Sequence, residues 1–318
     1  MVEVKVVSRA TRDGFGDGIV ELGKTNKNVF VLTGDLSEST RADKFQKLYP
    51  DRYFNMGISE QDLLGTAVGL ALSGKIPFVC SFSVFIGCRA YDQIRVSLCY
   101  NNQNVKIAAT HSGLTVGADG ATAQALEDIA IMRVLPNMSV IVPCDAMEAK
   151  KATIAAASFP GPVFLKLGRQ PFPVITSESD PFQVGKANVM KEGKDLYIIA
   201  CGVMVGEAQK ASKTLAEEGI DAGIINVHTI KPLDRQAIVT AARASGAIVT
   251  AEEHQVNGGL GGAVAEVLAK YQPVPLEMVA VEDTFGESGT PAELLEKYGL
   301  NWKQIVNRAK IVVKRKKK

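Results

Sequence analysis

The 318 residues show no excess of charge of one sign, no long apolar run and no paired-cysteine motif, and each absence removes a class of function. Thirty-six Lys and Arg stand against 34 Asp and Glu, a net charge of +2 that gives no global attraction to nucleic acid. The one concentrated basic run, residues 314–318, has no interleaved aromatics and reads as a solvated tail rather than a nucleic-acid or membrane contact. No stretch approaches the ~18 apolar residues of a membrane span. The opening MVEVKVVSRATRD carries charges every few residues where a secretory leader needs an apolar core. The five cysteines, Cys80, Cys88, Cys99, Cys144 and Cys201, are odd in number and widely spaced, with no C-x-x-C and no Cys/His cluster. They read as reduced core thiols of a cytoplasmic protein, and no metal ligands are expected in this chain.

What is present points to an α/β protein. With 46% hydrophobic and 22% charged residues, the chain is long enough for two domains, each with its own core. Short β-rich runs (NVFVLTG, IPFVCSF, NVKIAAT, MSVIVP, PVFLKLG, then DLYIIACG, DAGIINV, GAIVTAEE, LEMVAV) recur with helical stretches between them. This alternation predicts two domains, each a mainly parallel sheet flanked by helices, the second with an antiparallel edge. The Pro-, Ser- and acid-rich GRQPFPVITSESDPFQVGKANVM suits a linker, dividing the chain into 1–175, a linker 176–190, and 191–318 with the basic tail.

Three glycine-rich stretches invite a phosphate reading. GIVELGKT, Gly18 to Thr25, satisfies the letter of G-x-x-x-x-G-K-[ST], which needs a strand before it and a helix after. Here Phe15, Ile19 and Leu22 fall at helical spacing and the strand follows the lysine, so the order is reversed. Gly23 reads as a helix C-cap. GGLGGAV at Gly258 follows a strand and opens a helix but misses G-x-G-x-x-G spacing; tight packing is expected there, with phosphate approach as the alternative. GDG at Gly16 resembles the start of a metal-diphosphate motif, but the asparagines such a motif needs further on are absent.

The most informative segment is YFNMGISEQDLLGTAVGLALSGKIPFVCSFSVF. Glu60 follows a Gly-Ile-Ser turn and begins a helix that must be largely buried, so its carboxylate either caps the helix or has a function. Phe82 and Phe85 are either core or the wall of a pocket.

MGISEQD, SFSVFIGCRAYDQIR, THSGLTVGADGATAQALEDIAIMRVLPNMSVIVP and LKLGRQPFP, in this order, resemble the pyrimidine-binding domain of transketolases. INVHTIKPLD and TAEEHQVNGGLGG resemble the transketolase C-terminal domain. The resemblance implies thiamine diphosphate as a carbanion catalyst. It places Glu60 at the glutamate that hydrogen-bonds N1′ of the aminopyrimidine, favouring the imino tautomer that removes the C2 proton. Ile58, Phe82 and Phe85 fall at cofactor-binding positions. Arg12, Ser39, His111 and Arg169 match the residues at the phosphate end of the sugar, with His111 also a catalytic candidate. Asp119 matches an acid that bonds a sugar hydroxyl, and Asp35 lies near the same channel.

Two departures stand out. DGATAQA replaces the usual DGPTHQP, so Ala123 stands for a substrate-contacting histidine, and Cys88 stands near a third pocket aromatic. Transketolases carry a further N-terminal domain that holds the diphosphate through Mg²⁺ or Ca²⁺, and nothing here matches it. The chain therefore resembles the C-terminal subunit of a split transketolase, expected to pair as an α2β2 heterotetramer with a diphosphate-binding subunit. The implied reaction moves a two-carbon ketol unit between sugar phosphates, with no nucleic-acid or membrane partner. Alternatives are a 1-deoxy-D-xylulose-5-phosphate synthase-like subunit, a 2-oxo acid dehydrogenase beta subunit, and a non-catalytic homologue.

Overall fold

The computed structural model describes residues 7–316; the first six residues, and Lys317 and Lys318 of the basic tail, lie outside the described residues. The chain falls into two compact units. One holds the residues up to Ser112 together with Met132–Val184, the other Gly113–Ile131 together with the chain from Gly185 onward.

In the first unit the strands lie in the order Ser139–Ile141, Val163–Lys166, Lys106–Thr110, Ile76–Phe82, Val29–Thr33 and Tyr53–Asn55, all parallel. Runs such as VFVLT and IPFVCSF are almost wholly apolar because helices cover both faces of a parallel sheet. From Val29–Thr33 the chain goes to Tyr53–Asn55 on one side and then to Ile76–Phe82 on the other. The carboxyl ends of these strands therefore flank the reversal point where open α/β sheets place ligands.

The stretch GIVELGKT lies inside the helix Thr11–Thr25, ahead of the strand, so it is no phosphate loop. Its glycines serve packing. A Cβ on Gly14 would sit 1.9 Å from the Ala146 carbonyl oxygen and one on Gly18 2.9 Å from that of Lys150, so the helix Ala146–Ser158 can lie directly against this face. The expected C-cap at Gly23 is corrected: the cap is Asn26, and Gly23 admits the Tyr49 ring, whose Cε2 would lie 2.3 Å from an added Cβ. Asp17 of the GDG stretch is held by Arg9 and Lys44.

Beneath these helices Phe15, Ile19, Phe45 and Phe78 are fully buried; removing one such ring costs about 3–5 kcal/mol. Lys106 is equally buried. Its Nζ donates to Asn104 Oδ1 and to the Phe159 and Gly161 carbonyls, each at 2.6 Å. Burial pulls this amine down to about 7 while the three acceptors favour its charged form, and with every N–H engaged it is a staple rather than a nucleophile.

The second unit's sheet runs Leu276–Val281, Ile248–Gln255, Leu196–Ala200, Ala222–Asn226 and Asn188–Lys191. Only the last is antiparallel, supplying the expected edge. Each unit is thus an α/β layer structure with a mainly parallel sheet, as the sequence predicts. The solvated-tail expectation needs correction where the chain is described. Arg315 ends the helix Trp302–Arg315 and pairs with Glu277, and Lys316 Nζ donates to the Asp195 carbonyl at 2.7 Å, so these cations tie down a helix C-terminus. Four of the five free cysteines are buried, Cys88 being exposed, and burial raises the Cys80 thiol far above its ordinary range. Among the described residues no helix is long and apolar enough to cross a membrane.

Candidate active site

Most of the residues singled out in the sequence leave the first unit's sheet at the carboxyl end of a strand. Asp35 and Ser39 follow Val29–Thr33, Ile58 and Glu60 follow Tyr53–Asn55, and Phe82 ends Ile76–Phe82. Phe85 lies on the helix Ser83–Arg89 that comes next, His111 follows Lys106–Thr110, and Arg169 follows Val163–Lys166. Arg12 reaches the same end from the first turn of Thr11–Thr25, where its amide donates to the Gly168 carbonyl at 3.3 Å.

Six of these residues form one run of contacts. Glu60 is the first residue of the helix Glu60–Leu72, entered through Gly57 at φ 71°, a turn that favours glycine. Its carboxylate does not cap that helix. Oε1 accepts from Arg89 Nη1 at 2.8 Å, with side-chain exposures of 8% for Glu60 and 50% for Arg89, so the pair opens toward solvent on the arginine side. The Arg89 guanidinium carbon lies 4.1 Å from the Phe85 ring centroid. Phe85 stacks on Phe82 (5.3 Å, 23°), and Phe82 stacks on the His111 imidazole (3.7 Å, 20°). His111 Nε2 is 3.5 Å from Arg12 Nη1, which also donates to the Ser39 carbonyl at 2.8 Å.

The electrostatics divide this run into two ends. At the Arg12 end, burial and then the cations Arg12, Arg169 and Arg41 push His111 down to about 3, so its ring is neutral at physiological pH. Arg12 can only donate, so His111 Nε2 faces it as an acceptor and the ring proton sits on Nδ1, 3.1 Å from Thr110 Oγ1. Burial lowers Arg12 as well, followed by Arg41, with Asp13 opposing. Asp13 accepts from Arg41 Nε at 2.6 Å, and Arg41 and Arg169 are the further cations that act on His111. Arg12 Nε is buried and finds no acceptor among the described residues. Surplus positive charge with an unsatisfied N–H is a setting for an anion.

At the other end, a buried carboxylate and a phenyl face already hold a flat, N–H-bearing group, the Arg89 guanidinium. A heteroaromatic ring with an N–H aimed at Glu60 suits the same surfaces. At the Arg12 end, Arg41 and His111, at φ 68° and 52°, are two of the six non-glycine residues with positive φ among those described.

Other candidates stand apart from this run. Asp35 exchanges hydrogen bonds with Asn55, through its amide to Oδ1 at 3.0 Å and its Oδ1 from Nδ2 at 2.9 Å. Ile58 is 78% exposed. Asp119 ends the 3-10 stretch Leu114–Asp119 in the second unit, where Ala123 is buried. Sequence reasoning missed Arg89 and Arg41. Arg89 had a legible signal, since it lies four residues after Phe85 on one helix and so shares its face. Arg41 reaches the cluster only through a left-handed turn.

The second unit's buried Glu252 looks similar in sequence but is saturated. Glu252 accepts from the Leu260 and Gly261 amides at 2.7 and 2.8 Å, which fills the start of the helix that GGLGG opens. A Cβ on Gly259 would lie 2.1 Å from Glu252 Oε2, so close packing explains that glycine. His254 accepts from the Ala130 amide at Nε2 (3.2 Å) and bonds the Gln255 carbonyl at Nδ1 (2.7 Å). Among the described residues no group of three His, Cys, Asp or Glu is placed to hold a metal ion.

Residues 7–174 match the family model of the transketolase pyrimidine-binding domain, and residues 185–305 that of the transketolase C-terminal domain. The chain is 44% identical over 311 residues to a putative transketolase C-terminal section of Methanocaldococcus jannaschii, covering 97% of this chain and 98% of that one. It is 41% identical over 314 residues to the 6-deoxy-6-sulfo-D-fructose transketolase subunit SqwH of Clostridium sp. (strain MSTE9), covering 99% and 98%. A solved split-gene transketolase, described as an inactive beta4 tetramer, superposes with a TM-score of 0.91 at 49% identity over 96% of this chain and 99% of that one. With both domain models matched in order and relatives aligned from end to end, the chain belongs to the transketolase family.

Proposed function

We propose that this chain is the pyrimidine-binding half of a two-subunit transketolase that moves a two-carbon ketol unit from a ketose phosphate to an aldose phosphate. The observation that carries the reading is the run from Glu60 to Arg12, which joins a carboxylate and stacked rings to an anion-seeking cation cluster. The family is thiamine diphosphate dependent, and that group, when bound, supplies a stabilised carbanion at C2. Glu60 would hold N1′ of the aminopyrimidine and carry the proton exchanged there, and Phe82 and Phe85 would keep the ring flat and dry, with Ile58 at its edge. Arg12, Arg169, Ser39 and neutral His111 would take the phosphate end of the sugar, and Asp119 and Asp35 its hydroxyls. The division into 1–175, 176–190 and 191–318 is part of this reading.

A diphosphate and its Mg²⁺ or Ca²⁺ would be held mainly by a separate subunit, in an α2β2 assembly in the cytoplasm. The relative described as an inactive beta4 tetramer supports this view of the isolated chain. The relative named for a sulfonated sugar makes the donor sugar a quantity to measure.

The test is a ketol-transfer assay with thiamine diphosphate and Mg²⁺, run on this chain alone and with a diphosphate-binding subunit. Xylulose 5-phosphate or 6-deoxy-6-sulfo-D-fructose serves as donor and ribose 5-phosphate as acceptor. Transfer only in the mixture is expected. A stable mixture that transfers no ketol unit from either donor overturns the reading.

A further inference from the structure

We infer that Arg89 is a placeholder for the cofactor's pyrimidine ring, occupying its two contact surfaces until the cofactor displaces it. The inference rests on the proposed cofactor role of Glu60 and goes beyond it. The Arg89 guanidinium is planar, carries N–H donors at its rim, and sits 4.1 Å from the Phe85 ring centroid while Nη1 donates to Glu60 Oε1 at 2.8 Å. These are the contacts an aminopyrimidine would make with the same two residues: a flat face on the phenyl ring and an edge N–H on the carboxylate.

Arg89 is anchored for this task. Its own carbonyl accepts from Gln61 Nε2 at 3.2 Å, tying the end of Ser83–Arg89 to the first turn of the Glu60 helix, so its side chain swings from a point fixed relative to Glu60. The side chain is half exposed and can leave without unpacking the core, whereas the Glu60 side chain, at 8%, cannot. In the closed arrangement Arg89 spares the buried carboxylate from standing alone. Cofactor entry must break that pair, so apparent affinity is the intrinsic affinity multiplied by the fraction of molecules in which Arg89 is already displaced.

The experiment measures thiamine diphosphate binding by calorimetry in the assembled complex with Mg²⁺, for wild type, Arg89→Ala, Glu60→Gln and the double variant. Removing the placeholder should tighten the Kd by about three- to tenfold, the range for a partly exposed ion pair with a ring contact. In the Glu60→Gln background the same change should alter the Kd little. Arg89→Lys, which keeps the charge without the planar fork, should fall between wild type and Arg89→Ala and serves if the alanine variant does not fold. Unchanged or weaker binding in Arg89→Ala, or equal tightening in both Glu60 backgrounds, overturns the inference while leaving the cofactor reading intact. A wild-type complex that takes up no thiamine diphosphate overturns both. Non-additive shifts of thermal midpoint for the same variants in the isolated chain report whether the Arg89–Glu60 pair exists in solution.

Discussion

Glu60 and Glu252 are both buried glutamates close to the start of a helix, one in each compact unit, and they do different work. Glu252 lies on a strand, and both its oxygens accept from the amides that open the next helix. Glu60 lies on the helix itself and turns away from it to a half-exposed arginine. Two of the three histidines repeat the contrast. Both His254 nitrogens are committed to the backbone, whereas His111 is held between an aromatic face and an arginine in a strained backbone conformation. Burial therefore does not separate structure from function here. The partners do: Glu252 and His254 are held by backbone groups, whereas Glu60 and His111 face arginine side chains and Arg12 Nε finds no acceptor among the described residues.

This comparison can be broken at several points. The largest expected effect is Glu60→Gln, which keeps shape and removes the exchangeable proton; kcat for ketol transfer in the assembled complex should fall by about 10²–10⁴-fold. Next is Arg12→Ala. It should raise KM for the phosphorylated sugar by about 100-fold with a smaller change in kcat, the mark of lost ground-state binding. A loss confined to kcat would place Arg12 outside the anion site.

The smallest effect concerns acid stability. His111 is lowered to about 3 and His228, by burial, to about 4. Both lie below the unfolded value of about 6.5, so the unfolded chain takes up protons first as pH falls. The stability tied to the neutral imidazoles is present in full above about pH 6.5 and is lost on acidification toward the folded values. Between pH 7 and 5 each should cost about 2 kcal/mol. Denaturant unfolding of wild type and His111→Asn across this range checks the sign: the variant should lose roughly half of the pH dependence.

The parallel strands were legible because a sheet covered on both faces demands apolar runs with few interruptions, as in VFVLT and IPFVCSF. Glu60, Phe82, Phe85 and His111 were legible because each leaves or follows a strand in a motif shared with transketolases. What escaped were partnerships between residues distant in sequence. Nothing local tells Gly23 that it must admit Tyr49, or Arg315 that it will find Glu277. The occupant of the GGLGG helix start, Glu252, precedes it by several residues, and only the fold brings its carboxylate back. Arg89 was missed for another reason: helical spacing marked it as a neighbour of Phe85, but its bond to Glu60 joins two helices.

Thermal unfolding and ketol transfer measured side by side on Glu60→Gln and Glu252→Gln test the central claim most directly. Glu60→Gln should keep its thermal midpoint and lose transfer. Glu252→Gln should lower the midpoint by an amount corresponding to about 1–2 kcal/mol, as for a lost helix cap, and keep kcat in the assembled complex. The reverse pattern, a Glu60→Gln with a lowered thermal midpoint that still transfers or a stable Glu252→Gln that does not, would contradict the account.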